Sequence, residues 1–64
     1  MTTNMQSFVG KVFDDVEDAV HKEAAGTIVS VEYLGSINIP PTEGSIIVTV
    51  DQNGIILSII DPRL

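Results

Sequence analysis

Hydrophobic residues recur at helical spacing through the first third of the chain. At 100° per residue, the apolar side chains in this region fall within an arc of about 140°. They are Met5, Phe8, Val9, Val12, Phe13, Val16, Ala19 and Val20. Most charged side chains lie on the other side, and Gly26 after two alanines is a typical helix end. The pattern predicts one amphipathic helix over residues 4–25.

After Gly26 the apolar residues change to strand-like patterns. Residues 27–39, 45–50 and 55–60 are rich in β-branched side chains, which favour strands. Pro40 and Pro41 stop the first strand because neither can donate a ladder hydrogen bond. We therefore predict a single α+β domain over residues 1–64. Its element order is α-β-β-β, with the helix packed on a three-stranded antiparallel meander.

Residues 51–54, with the sequence DQNG, predict a hairpin between the last two strands. Two pairings are compatible with this turn. A two-residue turn at Asn53 and Gly54 places Thr49 opposite Ser58. A bulge at Gly54 shifts the pairing by one residue.

The strands carry more isoleucine and valine than one helix can cover. A sheet with one open face should alternate apolar with polar residues, and residues 46–50 and 55–60 do so only weakly. We expect an apolar interface on the open face at Ile47, Ile56 and Ile60. Three explanations stay open: a second copy packs there, another protein binds there, or residues 27–39 curl over the face.

The charge of the chain is one-sided. Nine acidic residues face three basic ones, and the formal net charge is −6. Such a chain repels nucleic-acid phosphates and anionic membranes, so we expect neither as a direct partner. A protein with a basic surface is the complementary partner. The carboxylates that would meet it lie on one helix face: Asp14, Asp15, Glu17 and Asp18.

Catalytic patterns are absent from the sequence. It has no cysteine, and its one histidine, His21, lies on the polar side of the predicted helix. That helix could offer Asp14, Glu17, Asp18 and His21 to a metal, but the stripe faces water and lacks ligands from a second helix. We predict no enzyme activity, no cofactor and no metal site. The absence of an apolar span or signal peptide predicts a cytoplasmic location, or the host cytoplasm for a viral protein.

Two functional hypotheses follow from these patterns. The first is a small non-catalytic protein-binding module that self-associates through the apolar sheet face. The alternative is an acidic inhibitor or nucleic-acid mimic of the kind that viruses and plasmids encode, which would block a host nucleic-acid-binding protein with its carboxylates.

Overall fold

The computed structural model of the chain describes residues 5–35 and 40–63. A short 3₁₀ turn (Met5–Phe8) precedes one helix and three strands. These are α1 (Phe13–Ala24), β1 (Val29–Tyr33), β2 (Ile46–Val50) and β3 (Ile56–Ile60). The predicted α+β class and the order α-β-β-β are confirmed.

The helix is shorter than the predicted span of residues 4–25, whose first residue lies outside the described part. Gly10 has a φ of +91°, a left-handed conformation that few other residues adopt, so the helical path is broken there. Val12 is still extended, with a ψ of 125°, and α1 begins only after it. The apolar spacing of the first turn was therefore misleading, because Met5 is buried from a separate 3₁₀ turn.

The end of α1 agrees with the predicted stop. Ala25 adopts the left-handed conformation, with a φ of 51°, and Gly26 follows with a φ of +89°. The Ala25 N–H donates to the carbonyl oxygens of His21 and Lys22. These contacts satisfy part of the row of carbonyls that every helix leaves unpaired at its C-terminus.

Arg63 supplies the remaining cap from the far end of the chain. Its Nη1 donates to the carbonyl oxygens of Glu23 at 3.0 Å and Ala24 at 2.9 Å. The same guanidinium forms a bidentate pair with Asp61 through Nε and Nη2. The end of α1 is thereby tied to the segment that follows β3.

The sheet is mixed, with the strand order β1-β2-β3. β2 and β3 are antiparallel as predicted, but β1 runs parallel to β2, with Val29 beside Ile46 and Tyr33 beside Val50. The connection between β1 and β2 has twelve residues, 34–45, which is long enough for the return crossover that parallel strands require. Residues 36–39, predicted as the end of the first strand, lie outside the described residues.

The hairpin combines both of the predicted arrangements. The Gly54 N–H donates to Asp51 O at 2.9 Å, and Gly54 is left-handed with a φ of +81°, as in a bulged turn. A second irregularity follows between Thr49 and Val50, where Leu57 is the extra residue of β3. This extra residue cancels the one-residue shift that the bulged turn introduces, so Thr49 lies opposite Ser58, as a two-residue turn would also place it.

One face of the sheet and α1 enclose the core. Alternate residues of β2, namely Ile46, Val48 and Val50, are at most 1% exposed. The other buried apolar residues are Met5, Phe13, Val20, Ala24, Ile56 and Ile59, with Phe8, Val16, Val29 and Val31 packed around them. The buried apolar side chains thus form one cluster on the helix side of the sheet.

Candidate interaction surface

The face of the sheet turned away from the core carries the remaining apolar residues. Ile47 and Ile60 are directly opposed across β2 and β3, and Ile60 is 59% exposed. On β1, Ser30 and Glu32 lie beside Ile47 and Thr49, so the even-numbered residues share this face. Strand alternation places the flanking Ile28 and Leu34 there too. We call this surface, formed by Ile28, Ser30, Glu32, Leu34, Ile47, Thr49, Ser58 and Ile60, the open face.

Two of the three predicted interface residues lie on the open face, and one does not. Ile47 is half-buried and Ile60 is exposed, as an interface requires. Ile56 is 1% exposed and belongs to the core. Because Leu57 is an extra residue in β3, Ile56 faces the core whereas Ser58 and Ile60 face the other side of the sheet.

Sequence reasoning missed Ile28 and Leu34, although they are among the most exposed large apolar residues. Ile28 is 59% and Leu34 is 64% exposed. The signal was present as a period of two through residues 28–34. It could be assigned to a face only once the pairing of β1 with β2 was known, and that pairing is between distant parts of the chain.

Polar groups on the open face are partly satisfied within the chain. Ser30 Oγ donates to Ser45 Oγ at 2.8 Å, and Ser45 Oγ donates to Thr42 O at 2.6 Å. Ser45 is only 4% exposed. The open face is therefore a mixed surface, with isoleucine and leucine between small polar residues.

The acidic helix face is where the sequence placed it. Asp14, Asp15, Glu17 and Asp18 are all exposed on α1. Within residues 5–35 and 40–63, the one ion pair found joins Asp61 to Arg63 at 2.8 Å, so none of these four carboxylates is neutralised there. Their charge is available to a cation from outside.

The carboxylate of Asp61 is buried and paired with Arg63, unlike the four exposed carboxylates of α1. Its side chain is fully covered, whereas that of Arg63 is 27% exposed. The hydrogen bonds from the Arg63 side chain hold the pKa of Asp61 below its ordinary value, and they outweigh desolvation, which raises it. This pair fastens the end of α1 and is not part of an exposed site.

A cleft lies between the start of α1 and the hairpin turn. It encloses about 270 Å³. Its lining is Phe13, Asp14, Tyr33, Val50, Asp51, Gln52, Asn53 and Gly54. Asp51 Oδ1 already accepts from the N–H groups of Asn53 and Ile55. The lining offers neither an imidazole nor a serine hydroxyl.

The two edges of the sheet differ. Residues 10–13 run beside β3: the Gly10 N–H donates to Ile56 O at 2.8 Å, and the Phe13 N–H to Gly54 O at 2.8 Å. Gln6 Nε2 donates to Ile59 O further along. No strand of the described chain lies against the outer edge of β1.

Comparisons with protein-family models, curated proteins and solved structures find no significant match to the chain. Among the described residues, no helix has the length and apolar character needed to cross a membrane. The same part of the chain holds no group of three or more histidine, aspartate or glutamate side chains arranged to bind a metal ion.

Proposed function

We propose that this chain is a non-catalytic protein-binding module that self-associates through its sheet, with the apolar residues of the open face at the interface. The observation that supports this most directly is the exposure of Ile28, Leu34 and Ile60, each at 59% or more. Ile28 and Ile60 lie at one end of the open face and Leu34 at the other, and exposed apolar side chains that share one face of a small domain favour a binding surface.

The distribution of the apolar residues supports the same proposal. Ile28 directly precedes β1 at the end of the sheet where Ile47 and Ile60 lie, so the three isoleucines are grouped there, with Ser30 beside Ile47. Ile47 and Ile60 are a direct cross-strand pair. A group of this kind loses its contact with water when a second chain packs on it, and that loss drives association.

Sedimentation equilibrium across a concentration series tests the proposal. We expect dimers or larger species at high micromolar concentration. Leu34→Asp should abolish them, whereas Ser58→Asp, which adds the same charge to the open face at a polar position, should retain most of them. A strictly monomeric native chain, or equal effects of the two variants, would show that apolar self-association is wrong.

The acidic mimic is the second candidate, and it is favoured by the four exposed carboxylates of α1, for which no ion pair is found within residues 5–35 and 40–63. Here the partner is a basic surface of another protein. Affinity for a cationic probe such as polylysine should fall steeply with added salt. It should also fall with Asp14→Asn, Asp15→Asn and Asp18→Asn combined, whereas Leu34→Asp should not reduce it. Binding that survives the three-residue variant would exclude this mode.

A further inference from the structure

The outer edge of β1 has its backbone groups directed away from the sheet at alternate residues. Ile46 N–H donates to Ile28 O, and Leu34 N–H donates to Val50 O, so the even residues of this strand bond to β2. In a strand, neighbouring residues direct their N–H and C=O groups to opposite sides. The groups of Val29 and Val31 therefore point outward, where a further strand would be accommodated.

The side chains along this edge are self-complementary about Val31. In an antiparallel pairing of two copies with Val31 opposite Val31, a residue that lies n positions before Val31 faces the residue n positions after Val31 in the other copy. Ile28 then lies opposite the second copy's Leu34, and these are two of the most exposed apolar residues of the chain. Each would cover the other.

Charge also fits this pairing. Glu32 is the only charged residue of the segment 28–34, and it comes to lie opposite Ser30 of the second copy. No two carboxylates face each other across the pairing, even though the chain carries a net charge of −6. A shift of register by two residues would place Glu32 opposite a second Glu32, or Ser30 opposite a second Ser30, and would break the apolar pairs.

We infer that the partner of β1 is a second copy of this chain, added antiparallel with Val31 on the two-fold axis, so that two sheets join into one of six strands. This rests on the proposed function and narrows the interface to the β1 edge with Ile28 and Leu34, since Ile47 and Ile60 on β2 and β3 lie outside the edge pairing. The outward backbone groups of Val31 lie opposite their own counterparts across the axis, and those of Val29 lie opposite Tyr33 of the second copy. Ile28 and Leu34 form the closely spaced, non-hydrogen-bonded pairs on either side.

Site-specific disulfide cross-linking tests the register, and the chain suits it because it has no cysteine of its own. Paired residues of this type lie about 4.5 Å apart at Cα, which a disulfide can span. Ile28→Cys and Leu34→Cys, mixed under mild oxidation, should cross-link several-fold more than either variant alone. In each single variant the two thiols lie about 20 Å apart, at roughly 3.3 Å per residue along the strand.

Ile60→Cys is the matched control, since Ile60 is as exposed as Ile28. It lies three strand spacings, roughly 14 Å, from the second copy's β1, beyond the reach of a disulfide. It should therefore cross-link neither with itself nor with Leu34→Cys. Urea unfolding of the reduced variants checks that each is folded.

The outcomes separate this inference from the proposed function. Native dimers with a preferred 28-to-34 cross-link support both. Native dimers in which Ile60→Cys cross-links as well as the mixture would mean face-to-face packing, which overturns the edge pairing and keeps the proposed function. A native chain that stays monomeric at high micromolar concentration overturns both.

Discussion

The two edges of this sheet differ in how far the described chain covers them. The outer edge of β3 is covered by the chain's own residues 10–13 through short backbone hydrogen bonds, and by the Gln6 side chain. The outer edge of β1 has no such cover within the described residues, and exposed Ile28 and Leu34 flank it. Bare strand edges promote pairing with other chains, so the cover over β3 opposes pairing at that edge, and the proposed pairing uses the other edge.

Substitution of Met5 should have the largest effect on the covered edge of β3. It is 0% exposed and anchors the segment that covers β3. We expect Met5→Ala to lower the free energy of unfolding by about 2–5 kcal/mol, the usual cost of truncating a fully buried methionine. For a chain of this length the total is only roughly 3–10 kcal/mol, so the loss should be conspicuous in urea unfolding.

Val9→Ala is the control for this substitution. Val9 lies between Met5 and the covering residues 10–13 but is 39% exposed, so its truncation should change stability little. A loosened cover would also expose the edge of β3 and add a second route of association, so Met5→Ala should associate more strongly than Val9→Ala. Equal losses from Met5→Ala and Val9→Ala would show that the covering segment is not anchored by burial.

Gly10→Ala should give the next largest effect. Gly10 has a φ of +91°, and an alanine held in a left-handed conformation costs about 1–2 kcal/mol. A Cβ at this position meets no atom within 4 Å, so the cost is conformational and not steric. Urea unfolding measures it, with Lys11→Ala as the neighbouring control. A stabilised Gly10→Ala variant would indicate that the helix continues through this position.

These substitutions fall where the sequence was hardest to interpret. Met5, Phe8 and Val9 have helical spacing, and a 3₁₀ turn followed by a sharp bend uses the same spacing to bury Met5. Local pattern cannot separate the two, because the deciding interaction joins Gly10 to Ile56, far away in sequence. The end of α1 and the hairpin turn were predictable, since local capping and turn chemistry determine both.

The interface was only partly predictable for a related reason. Ile47 and Ile60 were placed on one face from the register of the hairpin, which depends on a short loop. Ile56 was misplaced because a bulge at Leu57 reverses the alternation, and no residue type in that strand signals the bulge. Ile28 and Leu34 could be assigned to the open face only from the parallel pairing of β1 with β2, which twelve intervening residues leave unspecified.

The ion pair of Asp61 with Arg63 is a second tie beside the covered edge of β3, and its pH dependence is confined to the acid range. Arg63 joins Asp61, just beyond β3, to the end of α1. The pKa of Asp61 is lowered in the folded chain, chiefly by the hydrogen bonds from Arg63, so the unfolded chain binds more protons in the acid range. The stabilisation is fully present above the unfolded pKa, near 3.8, and is lost as pH falls through the lower folded pKa.

Urea midpoints of the native chain and Asp61→Asn, measured from pH 7 to pH 2, isolate this contribution. Asp61→Asn should be less stable at pH 7, because a neutral amide cannot replace the ion pair with Arg63. Its midpoint should fall less than that of the native chain below pH 4, where the native carboxylate becomes protonated. Other carboxylates titrate in both proteins and cancel in the difference. Parallel curves over this range would mean that the Asp61 carboxylate does not hold the end of α1 to the covered side of the sheet.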